Sequence, residues 1–262
     1  MQFAISALPV IPLRSEPSEK AEMINQLLFG EYVIIHEKQQ SWSYVEFGHD
    51  NYKGWLSTMM LHHIDSDMAS ELIQHKPRIP GNIFLPVVNN QNKNVFYIPA
   101  GSSLYHYKPA SNVFRLADLV FTCHSEPVFY PEDKIRDNIS MAAIKFLNIP
   151  YLWGGKNPFG IDCSGLVQVI MKLFGKNLPR DARQQVTVGR TVNFISEARP
   201  GDLAFFDNEE GQIIHTGIIT DHQQIVHASG SVKLDKIDHQ GIYSSTLKQY
   251  THRLRVIKNV LD

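Results

Sequence analysis

Apolar positions in the first half of the chain come in short runs. YVIIHE, WSYVEF, GNIFLPVV and NVFYIPA are separated by polar, Gly or Pro clusters, the punctuation of an all-β region. Two such stretches, about 1 to 62 and about 80 to 128, each match the size of a small barrel. Between them, LHHIDSDMASELIQHKPRIP has room for a short helix. The pattern predicts two small all-β barrels in tandem, residues 1–64 and, with the connecting segment, 65–130.

After Pro131 the period changes. DKIRDNISMAAIKFLNI spaces Ile135, Ile139, Ala142, Ala143 and Phe146 as one face of a helix. SGLVQVIMKLFGKN repeats the pattern with Leu166, Val167, Ile170, Leu173 and Phe174, and Gly175 offers a stop. Strands follow in LAFFD, QIIHTGIITD, QQIVHAS and HRLRVIK. Helices first and an antiparallel sheet afterwards predict an α+β domain over 131–262 rather than βαβ units.

With 262 residues, two or three domains are expected. The 25 basic and 26 acidic side chains nearly cancel, which removes the simplest electrostatic argument for a nucleic-acid or anionic-membrane partner. A small molecule or peptide fits better. Cys123 and Cys163 cannot supply a disulfide framework for this length, so a free thiol with a task is plausible. The start, MQFAISALPVIPLR, lacks a basic n-region and meets Pro9 and Pro12 early, so it does not read as a signal peptide. A cytoplasmic location is expected, or a periplasmic or secreted one if a leader was removed. No stretch approaches the roughly 18 to 20 apolar residues of a membrane span.

Cys163 lies in GIDCSGLVQ, where a loop ends and a helix begins. Its sulfur should face the positive end of the helix dipole, which together with an imidazole would lower the thiol pKa. Among 12 histidines, His215 and His227 sit within predicted strands, where a hairpin could join them. His227 would then orient His215 as a base. Taken singly, a lone cysteine is more often a small buried hydrophobe and a strand histidine more often a core residue. Cys123 reads as such a structural thiol. His62, His63 and His75 lack the neighbouring ligands of a zinc site, and WGGKNPFG lacks the Lys-Ser/Thr of a P-loop.

PYLWGGKNPFGIDCSGLVQ, followed by LPRDARQQ, RPGDLAFF, HTGII and IVHASG, resembles the NlpC-type peptidases, papain-like hydrolases of bacterial cell-wall peptides. The resemblance covers about residues 131 to 262. It implies Cys163 as nucleophile, His215 as general base and His227 as the third member. Tyr151 would sit beside the reacting carbonyl and help the Cys163 amide hold the oxyanion. Asp162 is a helix N-cap or an attractor of a substrate ammonium, Ser164 a backbone binder, and Arg180 a partner of the substrate carboxylate or a brace. Many relatives carry a hydroxyl residue after that Arg, where this chain has Asp181 and Ala182.

RSEPSEKAEMINQLLFGE and NYKGWL resemble the first SH3-like domain of γ-D-glutamyl-L-diamino acid endopeptidases. In that group the first domain closes the non-primed end of the cleft, so the substrate needs a free N-terminal L-Ala. Glu22 and Tyr52 are then candidates for holding its ammonium, with Glu16 or Glu31 and Tyr44 as alternatives. The resemblance implies a monomeric peptidase acting on peptidoglycan stem peptides, with no metal and no cofactor. The rival readings are a secreted endopeptidase remodelling intact wall and a non-catalytic wall-binding module.

Overall fold

The computed structural model describes residues 2–221 and 223–261. The chain divides into two units, one ending at Phe129 and the other beginning at Tyr130.

In the first unit, β1 (Gln2–Ile5), β2 (Val10–Arg14), β3 (Met23–Leu28), β4 (Tyr32–Gln39), β5 (Trp42–Phe47), β6 (Lys53–Ser57) and β7 (His62–Ile64) form an antiparallel sheet. Their spatial order is β3-β2-β6-β5-β4-β1-β7. Alternation builds the core: Val33 and Ile35, Val45 and Phe47, and Leu56 meet Ile11, Leu13 and Leu27. Ser43 also points inward, its hydroxyl satisfied by Thr58 Oγ1 at 2.9 Å. The connecting segment folds as α1 (Ser66–Gln74), whose N-cap Asp65 accepts from the Asp67 and Met68 amides.

A second sheet follows, with β8 (Phe84–Asn89), β9 (Val95–Pro99), β10 (Val113–Leu116) and β11 (Leu119–Cys123) in the order β10-β11-β8-β9. It closes over Phe29, Phe114 and Phe121, and Cys123 lies in that core. Burial pushes the Cys123 thiol up to about 12, as befits a structural cysteine.

The second unit is α+β. Helix α2 (Ile135–Ile144) buries Ile135, Ile139, Ala142 and Ala143, the face its spacing predicts. A short hairpin, β12 (Lys156–Asn157) and β13 (Gly160–Ile161), leads into α3 (Cys163–Leu173). The amphipathic pattern of α3 predicts a solvated face, but the whole helix is buried, Gln168 and Lys172 included. The Gln168 amide offsets its desolvation by donating to the Leu178 carbonyl at 2.9 Å. Gly175, at φ 72°, ends the run in the left-handed conformation, and Lys176 N–H reaches back to the Met171 carbonyl.

After α4 (Ala182–Gln185) come β14 (Arg190–Val192), β15 (Leu203–Asp207), β16 (Ile213–Asp221), β17 (Gln224–Ser229), β18 (Ser231–Ile237), β19 (Gly241–Ser244) and β20 (Gln249–Asn259). They are antiparallel in the order β14-β20-β15-β16-β17-β18-β19, and β19 also pairs with β20. Among the described residues, β15 to β20 therefore close into a ring. Both faces of β15 to β17 are buried, which explains the unbroken run LAFF. Ala204, Phe206, Ile219 and Ile225 face the inside, while Leu203, Phe205, Ile218 and Val226 turn the other way. Strands β14, β18 and β19 escape the pattern reading because they are short or carry alternating charged residues.

Candidate active site

Asp162 begins the site. Its carboxylate caps α3 by accepting from the Gly165 amide at 2.7 Å and also accepts from the Gly154 amide at 2.9 Å. The loop 152–155 and the helix start are thereby tied at one point. Gly165 permits the close approach, since a Cβ there would stand 2.4 Å from the Gly155 carbonyl oxygen.

Cys163 follows as the first helical residue and is 7% exposed. Its sulfur is hydrogen-bonded by the backbone amides of Thr216 and Ser164, which brings it against β16 beside His215. The expectation of a depressed thiol pKa is corrected here. Burial, with the Asp162 charge adding to it, pushes the thiol up to about 11, and those two amides and Arg180 pull it back only in part. Burial also holds His215 well below its ordinary range, reinforced by His252, His227 and Lys233. The resting pair is therefore a neutral thiol and a neutral imidazole, and the base must take the proton as the sulfur attacks.

The imidazoles are placed by register. Gly217 lies opposite His227, so His215 and His227 are diagonal neighbours on the inner face of the ring. Their rings cross at 87°, with His215 Nε2 2.9 Å from His227 Nδ1. Gly217 keeps the space between them open, since a Cβ there would meet His227 Cβ at 2.9 Å.

Two further residues escaped the reading of the sequence. Asp235 on β18 lies opposite Ile225, on the face His227 shares, and its Oδ2 is 3.1 Å from His227 Nε2. His252 on β20 stacks on His215 at 4.2 Å and 25°, and burial brings it down to about 4. Alternation within SVKLDKI and THRLRV was the available signal, but it needs the strand pairings to become specific. His215, His227 and His252 each bring a nitrogen within 4.8 Å of the others. Stacked rings direct their in-plane lone pairs side by side rather than at one point, so the trio does not fit a tetrahedral metal. A cavity of about 480 Å³ opens beside Phe206 and His252.

Tyr151 is half-buried, and its backbone bridges to Ile161. Burial above all pushes its phenol up to about 12, so it remains a donor near the sulfur. Arg180 is 1% exposed. It forks onto Asp162 at 2.9 and 2.5 Å and donates to Ser164 Oγ at 2.8 Å. That geometry is a brace: Arg180 pairs with Asp162, and the Ser164 hydroxyl belongs to the same network. In the first unit, Glu22 and Glu16 are exposed, Tyr52 packs half-buried against the core and Tyr44 packs on Trp55. Glu31 is buried and accepts from the Leu28 amide at 2.8 Å.

Residues 148–255 match the NlpC/P60 family, and residues 13–61 match the bacterial dipeptidyl-peptidase SH3 domain. The chain is 28% identical to dipeptidyl-peptidase 6 of Lysinibacillus sphaericus, over 87% of this chain and 89% of that protein. It is 30% identical to gamma-D-glutamyl-L-lysine dipeptidyl-peptidase of Bacillus subtilis (strain 168), over 78% of this chain and 71% of that one. Its fold is similar to the crystal structure of an NlpC/P60 family protein from Bacillus cereus ATCC 10987, with a TM-score of 0.82, 17% identity and 99% and 100% of the two chains covered.

Proposed function

This chain belongs to the NlpC/P60 family of cysteine peptidases, and on that premise we propose that it hydrolyses the γ-D-glutamyl–L-diamino acid bond of peptidoglycan stem peptides. The observation that carries the reading is the sulfur of Cys163, at the start of a helix and bonded by the Thr216 amide, beside a histidine whose far nitrogen is engaged by a second one.

Cys163 is the nucleophile. As Sγ bonds to the γ-carbonyl carbon, its proton passes to the free ring nitrogen of His215. The oxyanion is met by the Cys163 amide, which as a first-turn N–H has no intrahelical partner, and by the Tyr151 hydroxyl. His215 returns the proton to the departing amine, leaving a thioester. Water then attacks with His215 as base, the C–S bond breaks, and the thiol is restored. Arg180, Asp162 and Ser164 hold the helix start rigid while this happens.

The likeness of residues 13–61 to a dipeptidyl-peptidase SH3 domain supports a requirement for a free N-terminal L-Ala, with Glu22 and Tyr52 the candidates for its ammonium. We read the 84–123 sheet as a second SH3-like module, the C-terminal unit as papain-like, and the protein as a monomer. Turnover of released wall peptides in the cytoplasm is the setting we favour. L-Ala-γ-D-Glu-diaminopimelate should be cut to L-Ala-D-Glu and free diamino acid, and the N-acetylated peptide should resist. Equal rates on the two would remove the free-amine requirement, and no cleavage of either would remove the substrate assignment.

A further inference from the structure

We propose that Asp235 is a positioning residue that fixes the proton on Nε2 of both His227 and His215, leaving His215 Nδ1 bare to take the Cys163 proton. The inference rests on the reading of Cys163 as nucleophile and His215 as base.

The contacts run in one line. Asp235 Oδ2 lies 3.1 Å from His227 Nε2, and His227 Nδ1 lies 2.9 Å from His215 Nε2. A carboxylate can only accept, and the bond from His227 holds Asp235 below its ordinary pKa, so it stays ionised. His227 Nε2 must therefore carry a hydrogen. A neutral imidazole has one N–H, so His227 Nδ1 is a lone pair, and the short contact to it requires a hydrogen on His215 Nε2. That leaves Nδ1 of His215 as the acceptor.

Without Asp235, nothing in this line selects which nitrogen of His227 is protonated, and either tautomer of the pair satisfies the 2.9 Å contact. In one of them His215 presents an N–H to the thiol and cannot act as base. Other charged or titratable groups facing His227 are Lys233 opposite it on β18, His215 on β16 and His252 on β20. Lys233 is a cation and His252 makes a ring contact with His227, so neither offers the carboxylate's acceptor.

Histidine-selective ¹⁵N spectra of the full chain at neutral pH, without substrate, test this directly. The parent should show Nε2–H tautomers for His215 and His227, and Asp235→Leu should show mixed tautomers. In turnover of the L-Ala-γ-D-Glu peptide, kcat of Asp235→Leu should fall about 10- to 100-fold with KM little changed, a part of what general-base catalysis supplies. Asp235→Asn, whose amide can donate as well as accept, should leave the tautomers mixed too, whereas Asp235→Glu keeps an accept-only carboxylate and should recover part of the loss. An Nδ1–H proton on His215 in the parent overturns the proposal, as does an Asp235→Leu protein that keeps the parent's tautomers. Tautomers that shift as stated in a parent that does not cleave the peptide support the positioning role and overturn the substrate assignment instead.

Discussion

Arg180 and Asp162 are locked together beside the nucleophile, their contacts of 2.9 and 2.5 Å joining a guanidinium that is 1% exposed to the carboxylate that caps the helix of Cys163. Each charge is tolerable in the interior because the other is there. Removing one partner leaves the other buried alone, a loss of about 3–5 kcal/mol. Arg180→Met should therefore lower the denaturant midpoint by that equivalent, followed by circular dichroism. Arg180→Lys, which cannot fork, should recover only part. An Arg180→Met protein as stable as the parent would show that the pair contributes nothing.

Gly165→Ala tests the close approach behind the nucleophile. A methyl 2.4 Å from the Gly155 carbonyl oxygen has no flexible side chain to displace, so backbone must move. Overpacking of this kind costs about 1–3 kcal/mol. Because the strain falls between the capped helix start and the loop carrying Tyr151, kcat should drop further than stability does. Unchanged turnover would mean that the two segments can part without consequence.

The neutral thiol and imidazole predict a distinctive pH response. With the thiol raised to about 11, alkylation of Cys163 by iodoacetamide should keep accelerating well above pH 8. With His215 depressed, peptide turnover should lose its base only below the ordinary histidine value of 6.5. A preformed ion pair would instead give an alkylation rate that levels off near neutrality, and that profile would overturn the neutral resting state.

Stability should also fall on acidification. His215 and His252 are held neutral in the folded chain, His252 down to about 4, whereas unfolded histidines protonate near 6.5. The unfolded state thus binds more protons between 6.5 and about 4, and stability declines as pH falls through that window. Asp235, whose pKa is lowered, acts at a different place: its contribution is lost as pH falls below 3.8. His252→Phe, which preserves the stacked ring, should flatten the first decline, measured as the pH dependence of the urea midpoint. An unchanged slope would remove His252 from the account.

Much of the architecture was readable before coordinates because burial imposes it residue by residue. The face of α2, the short strands of the first unit and the strands carrying His215 and His227 all follow from apolar period. Cys163 and its helix start were legible for the same reason. What failed was context. The solvated face expected of α3 is covered by the sheet and neighbouring segments. The thiol expected to be acidic lies in an interior whose desolvation outweighs the helix end. Asp162 read as a helix N-cap or an ammonium attractor and Arg180 as a carboxylate partner or a brace; the cap and the brace are both present, and only the fold shows that the two residues face one another. Asp235 and His252 could not be seen at all without register, since any charged or aromatic residue on a strand looks alike until its cross-strand neighbour is known.

Strand β20 is held by β14, β15 and β19 at once, and it is the last strand of its unit to be synthesised. While residues 249–259 remain in the ribosomal tunnel, β15 and β19 each present a raw edge and His215 lacks its stacking ring. The hydrolytic centre can therefore assemble only after its unit has left the tunnel, so a nascent chain is inert until its barrel shuts.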